Sequence, residues 1–252
     1  MMSFSQLFRK TLVAIFALFP ILLSDARAAD AQCEKVPGTV AVSCAVDPAR
    51  ADLRLFWRDE GGEPYGGFAR VVDKVAQGGG TLAFAMNAGM YQPDLSPVGL
   101  YVEGGQELHP VNRRAGEGNF GMRPNGVLWI DGARAGVTET SRFLQMGVRP
   151  RFATQSGPLL VMGGRFHPKI RPDGTSAKIR NGVGACEDGK LRFVITDQPV
   201  TFYAFAVLFR DVLKCPDALF LDGSISALYA PQLSRNDGWR PMGPIVGVVE
   251  KK

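Results

Sequence analysis

The chain has 252 residues and a formal net charge of +5 at pH 7. This balance is too mild for a nucleic-acid-binding protein, and the sequence has no lysine-rich stripe, whereas an anionic small substrate is compatible with it. The length suits one large domain with a single filled core, and no internal repeat or low-complexity linker divides it.

The N-terminus has the layout of a cleaved secretory signal. Arg9 and Lys10 precede an apolar run over residues 11–23, and small residues follow at the two positions that a signal peptidase reads. The run is shorter than the roughly 20 residues that a membrane-spanning helix needs, so an uncleaved anchor is the less favoured alternative. We expect removal of residues 1–28, a periplasmic or secreted location, no membrane span after cleavage, and one domain over residues 29–252.

The cysteines of the exported part are Cys33, Cys44, Cys186 and Cys215. An even number in an exported chain favours two disulfides, for which three pairings are possible. We prefer Cys33–Cys44, which closes a short loop, together with Cys186–Cys215, which clips a strand to the segment after a helix. There is no C-x-x-C spacing, and neither His109 nor His167 has a nearby cysteine or second histidine, so structural zinc is not expected.

The first elements follow from periodicity and turn residues. Residues 33–51 are interpreted as a loop, and residues 53–57 alternate as a strand does. Apolar residues at helical spacing predict a helix over residues 68–76, which the glycines at 78–80 end. Residues 81–86 then read as a buried strand.

The middle and the end of the chain contain the clearest local signals. Three turns, Gly104-Gly105, Asp131-Gly132 and Asp188-Gly189, predict β-hairpins and therefore antiparallel pairing. A second helix is predicted over residues 201–214, with Thr201 as its cap, and a short apolar strand follows. The predicted fold class is α+β: a large mixed, mostly antiparallel sheet with two principal helices.

Four segments place polar residues at the ends of apolar strands, where a rigid strand fixes side chains that a ligand can reach. In chain order they read NAGMY (residues 87–91), SGP (156–158), RNGVG (180–184) and LDGSIS (221–226). Each segment alone is weak evidence. Their order, and the helix and strand that precede the last one, carry the information.

These four segments resemble the motifs of the phosphodiester glycosidase family over roughly residues 82–229. Members of that family include an enzyme that removes N-acetylglucosamine from its phosphodiester link to mannose. The resemblance implies a hydrolase that cleaves a glycosyl phosphodiester at the anomeric C–O bond. The sequence departs from the family pattern in two turns. Ser224 and Ile225 stand where the family usually has glycines, and in the first turn Ala88 replaces a glycine while Met90 and Tyr91 replace a phenylalanine pair.

The expected roles follow from the chemistry of a sugar 1-phosphodiester. Its leaving group is a stable anion, so the site needs chiefly phosphate donors and a carboxylate at the anomeric centre. Arg180 is the expected phosphate ligand, because a guanidinium can bind two oxygens at once. Asp222 is the expected catalytic carboxylate, and Asp197 is the second candidate. The expected substrate-binding residues are Asn87, Ser156, Gly157, Asn181, Gly223 and Ser224.

Structural roles for the same residues stay open beside these. Asp222 is also suited to capping backbone N–H groups in a turn, Arg180 to an ion pair, and Asp197 to closing a turn before Pro199. Ser156 lacks the Gly-x-Ser-x-Gly elbow of a nucleophile. No cofactor is expected, and no metal either, because no Asp-x-Asp-x-Asp-Gly loop is present.

The function predicted from the sequence is therefore an exported hydrolase whose partner is a carbohydrate or glycan phosphodiester. A periplasmic glycan-binding protein on the same scaffold, with little catalysis, is the alternative, and the bulkier Ser224 and Ile225 favour it. A phosphodiesterase that breaks the P–O bond is a weaker third possibility.

Overall fold

The structure is a computed structural model and describes residues 31–114, 116–222, 224–238 and 240–251. The predicted signal, residues 1–28, and the candidate Gly223 lie outside the described residues. Within the described ranges, no helix combines the length and the apolar character that crossing a bilayer requires.

The described part of the chain is built mainly of short strands. These are β1 (Ala31–Lys35), β2 (Ala41–Val46), β3 (Asp52–Phe56), β4 (Gly80–Asn87), β5 (Tyr101–Glu103), β6 (Gln106–His109), β7 (Gly126–Asp131), β8 (Arg134–Glu139), β9 (Phe152–Ser156), β10 (Leu159–Met162), β11 (Arg165–Phe166), β12 (Asn181–Ala185), β13 (Leu191–Thr196), β14 (Asp217–Asp222), β15 (Leu228–Ala230), β16 (Arg235–Asn236) and β17 (Ile245–Lys251). The α-helices are α1 (Phe68–Gln77), α2 (Gly118–Gly121), α3 (Thr140–Gln145) and α4 (Phe202–Val207). A π-helical turn (Leu208–Val212) continues α4, and a 3-10 turn spans Pro231–Leu233.

The strands form three antiparallel sheets. The seven-stranded sheet has the order β1-β2-β13-β12-β14-β10-β11, the β4 sheet the order β16-β15-β4-β17-β3, and the β9 sheet the order β6-β5-β9-β7-β8. All three predicted hairpins are present, as β5–β6, β7–β8 and β12–β13. The predicted α+β class, with mostly antiparallel strands and two principal helices, is confirmed. The strands are divided over three sheets, whereas the sequence analysis placed them in one.

One hydrophobic core joins the three sheets. It contains Phe84 from β4, Leu128 from β7, and Phe193 and Leu219 from β13 and β14, all fully buried. Alternate residues of a strand point to opposite faces, so each sheet presents one apolar face to this core. Burying one such side chain contributes about 1.5–3 kcal/mol. The shared core brings strand ends from different sheets close together.

The second principal helix covers the outer face of the seven-stranded sheet. Thr201 caps α4, as predicted, since its hydroxyl accepts the N–H of Ala204 at 3.1 Å. The prediction of one continuous α-helix to residue 214 is wrong, because Leu213 N donates to Leu208 O, an i→i−5 bond of 2.9 Å. Such a bond widens the turn. Val212, the last residue of the π-helical turn, is 47% exposed.

The interpretation of residues 33–51 as a loop is wrong, because β1 and β2 form a hairpin that pairs with β13. The strand sequences AQCEK and AVSCAV contain few strong β-formers, so tertiary pairing decides their conformation. Cys33 lies opposite Cys44 in this hairpin and forms a disulfide with it. The second disulfide is Cys186–Cys215. Both disulfides have the pairing that was preferred from the sequence.

His167 is a buried histidine, with 2% of its surface exposed. Its Nδ1 accepts the N–H of Lys169 at 3.1 Å, so the neutral ring carries its proton on Nε2. The carbonyls of Arg123 and Met122 approach the ring, but no bond of normal geometry reaches Nε2. Burial lowers the pKa of His167 below its usual range, and the charge of Lys169 lowers it further.

The protein should therefore lose stability as the pH falls below about 6.5, the pKa of an unfolded histidine. In that range the unfolded chain binds a proton that the buried His167 ring resists, whereas both states are neutral at higher pH. His167→Asn keeps an acceptor for Lys169 N and should flatten the dependence of unfolding free energy on pH between 7 and 5. Urea unfolding at several pH values measures this dependence of the unfolding free energy on pH, and His109→Asn is the control. Equal slopes for wild type and both variants would refute the assignment.

Candidate active site

The polar segments singled out in the sequence meet where strands of all three sheets end. Asn87 ends β4, Ser156 ends β9, Asp222 ends β14, and Asn181 begins β12. None of these four residues is more than 8% exposed. Contacts link them in a chain, so the structure brings together residues that lie up to 135 positions apart in the sequence.

A pair of asparagines forms the centre of this cluster. Asn181 Nδ2 donates to the backbone oxygen of Asn87 at 2.9 Å and to its Oδ1 at 3.1 Å. Asn181 Oδ1 accepts the N–H of Asp222 at 3.1 Å and the hydroxyl of Ser226 at 3.2 Å. Asn87 Oδ1 accepts the N–H of Ala227 at 2.9 Å. The two amides therefore hold both ends of the turn that follows β14.

The carboxylate of Asp222 faces this turn. Its Oδ1 accepts the N–H of Ser224 at 2.9 Å, and its Oδ2 accepts the N–H of Ile225 at 3.3 Å. The turn-capping role that the sequence left open is therefore present. It does not exclude catalysis, because a carboxylate has about four acceptor positions. The exposed Ser224 lies at the edge of the turn.

Ser156 and Gly157 support the same strand end. The Ser156 hydroxyl donates to the carbonyl of Leu221 at 2.9 Å, immediately before Asp222. A Cβ on Gly157 would lie 2.7 Å from the Cβ of Asn125, so close packing requires glycine here. Both residues contact other buried parts of the protein, and the bond from Ser156 holds the end of β14 in place.

Arg180 is a buried cation, with 1% of its surface exposed. Its Nε donates to Val200 O at 2.9 Å and its Nη2 to Ser176 O at 2.8 Å. The guanidinium lies 3.7 Å from the ring centroid of Phe202 and 5.4 Å from that of Phe220. Burial lowers the pKa of Arg180 to about 10. No carboxylate in the described ranges forms an ion pair with it, so the structure does not show the ion pair considered as an alternative.

The cation and the carboxylate lie on neighbouring strands at the same end of the seven-stranded sheet. Arg180 directly precedes Asn181, which pairs with Asp222 across β12 and β14. The guanidinium of Arg180 also contacts the ring of Phe220, two residues before Asp222.

Asp197, the second candidate carboxylate, has a different partner. Its Oδ1 lies 2.7 Å from Arg235 Nη1, and Arg235 also pairs with Asp237 at 2.7 Å. This ion pair joins the end of β13 to β16 of another sheet. A catalytic role for Asp197 stays a prediction. Across the described ranges, no three His, Cys, Asp or Glu side chains are arranged to hold a metal ion.

Tyr91 and Ser226 belong to the NAGMY and LDGSIS motifs, but the sequence alone indicated no role for either residue. The Ser226 hydroxyl donates to the carbonyl of Asp222 at 2.9 Å. Tyr91 donates to Pro241 O at 3.3 Å, and burial, together with the charge of Asp222, raises the pKa of its phenol. Tyr91 is therefore a protonated donor near the carboxylate. Its place in a motif that the family fills with phenylalanine is the signal that pointed to it.

Gln155 was also missed. Its Oε1 accepts the N–H groups of Leu100 and Asn112, at 3.0 and 2.9 Å, and its Nε2 donates to Asn112 O at 2.9 Å. This fully buried side chain fastens the segment after β4 to β9, directly before Ser156. Nothing in its local sequence distinguishes it from an exposed glutamine.

Fold and site together define a β-rich domain in which strand ends from three sheets converge, with Asp222 at the end of β14 and the buried Arg180 directly before β12. The sequence matches the phosphodiester glycosidase family (NAGPA) over residues 80–249, and the chain belongs to that family.

Similarity to individual proteins supports the membership in this family. The uncharacterized protein YigE of Escherichia coli (strain K12) is 36% identical over 216 residues, which cover 85% of this chain and 84% of YigE. The catalytic domain of zebrafish N-acetylglucosamine-1-phosphodiester alpha-N-acetylglucosaminidase has a similar fold, with a TM-score of 0.61, 13% identity, and coverage of 88% of this chain and 84% of that one. A hypothetical protein from Synechocystis matches with a TM-score of 0.52 and 13% identity, and this match covers 88% of this chain but 61% of the Synechocystis chain. At these identities the structural matches show the fold alone.

Asn181→Ala should lower the free energy of unfolding by about 2 to 4 kcal/mol, because it leaves Asp222 N without its buried acceptor and removes the amide donor to the two Asn87 oxygens. Urea unfolding measures the change. Asn236→Ala, at an exposed position, is the matched control and should stay within about 0.5 kcal/mol of wild type. A similar small effect at both positions would show that the amide pair does not hold the site.

Proposed function

We propose that the protein is an exported hydrolase that cleaves a glycosyl phosphodiester at the anomeric C–O bond. The observation that carries this proposal is the buried guanidinium of Arg180, which has no carboxylate partner in the described chain and lies one strand from Asp222. A carbohydrate or glycan phosphodiester supplies both the anion and the anomeric centre.

Arg180 is suited to the phosphate. Removing a cation from water is unfavourable unless an opposite charge compensates, and the lowered pKa of Arg180 reflects this cost. Two carbonyls and two rings fix the plane of the guanidinium, while Nη1 has no partner among the described residues. A phosphate bound at Nη1 would compensate the charge at a preorganised donor.

Asp222 is suited to the anomeric centre. The turn fixes its carboxylate, which can stabilise an oxocarbenium-like transition state or activate water. The phosphate leaves as a stable anion, so a second carboxylate acting as acid is less necessary. Asp197 would serve as that second group only if it left Arg235. We assign Ser224 to substrate contact at the rim, and Asn87, Ser156, Gly157 and Asn181 to support of the turn.

Export is part of the proposal. The signal layout in the sequence and the two disulfides support a periplasmic or secreted location, because disulfides persist in oxidising compartments.

The direct test is turnover of N-acetylglucosamine 1-phosphodiesters by the purified protein. Asp222→Asn should reduce kcat by about 10²-fold or more, while Asp73→Asn, on the exposed face of α1, should leave it unchanged. Hydrolysis in heavy-oxygen water should place the label in the sugar. Label in the phosphate would mean P–O cleavage, and unchanged turnover by Asp222→Asn would remove this residue from the mechanism.

Arg180→Lys keeps the charge but loses the planar fork, so we expect kcat/KM for phosphodiesters to fall by about 10- to 100-fold. The apparent Kd for inorganic phosphate, measured by calorimetry, should rise in parallel. Thermal unfolding shows whether the variant is folded. A folded Arg180→Lys protein with wild-type phosphate affinity would contradict the assignment.

A glycan-binding protein with little catalysis is the second candidate. The observation that favours it is the engagement of both Asp222 oxygens by backbone N–H groups of Ser224 and Ile225. In that case glycan binding would survive Asp222→Asn, and no glycan offered would give a product.

A further inference from the structure

An apolar cavity of about 340 Å³ lies on the outer face of the seven-stranded sheet. Its walls include Val40, Thr196, Val200, Ala204, Leu208 and Val212. Among the residues that the structure describes, no charged side chain lines the cavity, and its hydroxyls come from Thr39 and Thr196. The cavity is therefore a site for an apolar group.

The π-helical turn forms one wall and leaves the cavity open. The widened turn ends at Val212, which is 47% exposed, and Val40 across the opening is 36% exposed. Apolar side chains at the mouth of an apolar cavity favour occupation by a hydrocarbon.

The cavity lies in line with the candidate site. Ala41 on β2 pairs with Thr196 on β13. Thr196 in turn exchanges bonds with Arg180, since its N–H donates to Arg180 O at 2.9 Å and its hydroxyl accepts Arg180 N at 3.1 Å. The next strand carries Asp222. Since neighbouring strands are about 4.8 Å apart, the backbone positions of Ala41, Thr196, Arg180 and Asp222 follow one another across four neighbouring strands or their ends.

Two residues belong to both regions. Thr196 and Val200 line the cavity, and each also contacts Arg180, Val200 by accepting a 2.9 Å bond from Nε. Thr196 and Val200 therefore lie between the cavity and Arg180.

We propose that the aglycone of the substrate is an apolar alkyl or prenyl chain that occupies this cavity. The inference rests on the proposed function. A glycosyl phosphodiester runs from anomeric carbon to phosphate to aglycone, the same order as Asp222, Arg180 and the cavity. A sugar aglycone would leave its hydroxyls unpaired against these walls, which is unfavourable.

The reaction on this substrate is a hydrolysis. The oxygen of water bonds to the anomeric carbon, and the bond from that carbon to the phosphate oxygen breaks with its electron pair on the phosphate. One proton of the water goes to solvent through the Asp222 carboxylate. The products are the free sugar and an alkyl phosphate, with no change in oxidation state.

The test compares N-acetylglucosamine 1-phosphodiesters with methyl, butyl, octyl and mannosyl aglycones. We expect kcat/KM to rise about three- to fourfold per methylene until the cavity is filled. Equal values for methyl and octyl, or a preference for the mannosyl ester, would overturn the aglycone assignment and leave the proposed hydrolase in place.

Ala204→Trp should fill the cavity from its exposed rim. We expect it to abolish the preference for octyl and to leave turnover of the methyl ester unchanged, whereas Ala76→Trp on α1 should change neither. Val212→Asp tests the mouth independently if Ala204→Trp does not fold. Retention of the octyl preference in a folded variant of either kind would count against the cavity.

If no ester is hydrolysed, the proposed function fails, and equilibrium binding still decides the cavity. Methyl octyl phosphate should then bind more tightly than dimethyl phosphate to the wild-type protein. The two ligands should bind equally well to Ala204→Trp. Equal affinities would overturn the inference.

Discussion

The site depends on one buried contact, the amide pair of Asn87 and Asn181. These side chains belong to different sheets, and each is held within 1% exposure. A buried amide that lost its partner would cost about 1–3 kcal/mol, so the pair constrains the approach of the two sheets. The N–H groups of Asp222 and Ala227 complete it. The carboxylate position is therefore determined by packing between sheets as well as by its own turn.

Whereas the amide pair stabilises the fold, burial of the Arg180 guanidinium destabilises it. The Phe202 ring and two backbone carbonyls stabilise the charged guanidinium of Arg180, yet burial still lowers its pKa. A carboxylate would stabilise it better, but would also occupy the place of an anionic ligand. Without a carboxylate partner among the described residues, the buried Arg180 therefore costs folding free energy that its ring and carbonyl contacts only partly offset.

Local signals in the sequence predicted the features that depend on a few adjacent residues. The Asp131-Gly132 hairpin and the Thr201 cap are set by turn and cap chemistry, and both are confirmed. The β1–β2 hairpin was missed because its pairing with β13 is tertiary. Likewise, Asp197 and Arg235 are 38 positions apart, and neither neighbourhood reveals the ion pair. Motif order predicted the candidate site residues, but it did not predict their hydrogen-bond and ion-pair partners.

Topology, and no single motif, sets the direction in which a substrate would lie. The order β2-β13-β12-β14 is produced by the crossovers of the chain, and it places an apolar wall, Arg180 and Asp222 in sequence across the sheet. A change such as Ser224 or Ile225 in place of glycine acts only at the Asp222 end of this row. The π-helical turn contacts β14 and places the Phe209 ring over Gly182 and Gly184 of β12, while its Leu208 and Val212 line the cavity. The helix that contains this turn therefore covers both the apolar cavity and the strand that ends at Asp222.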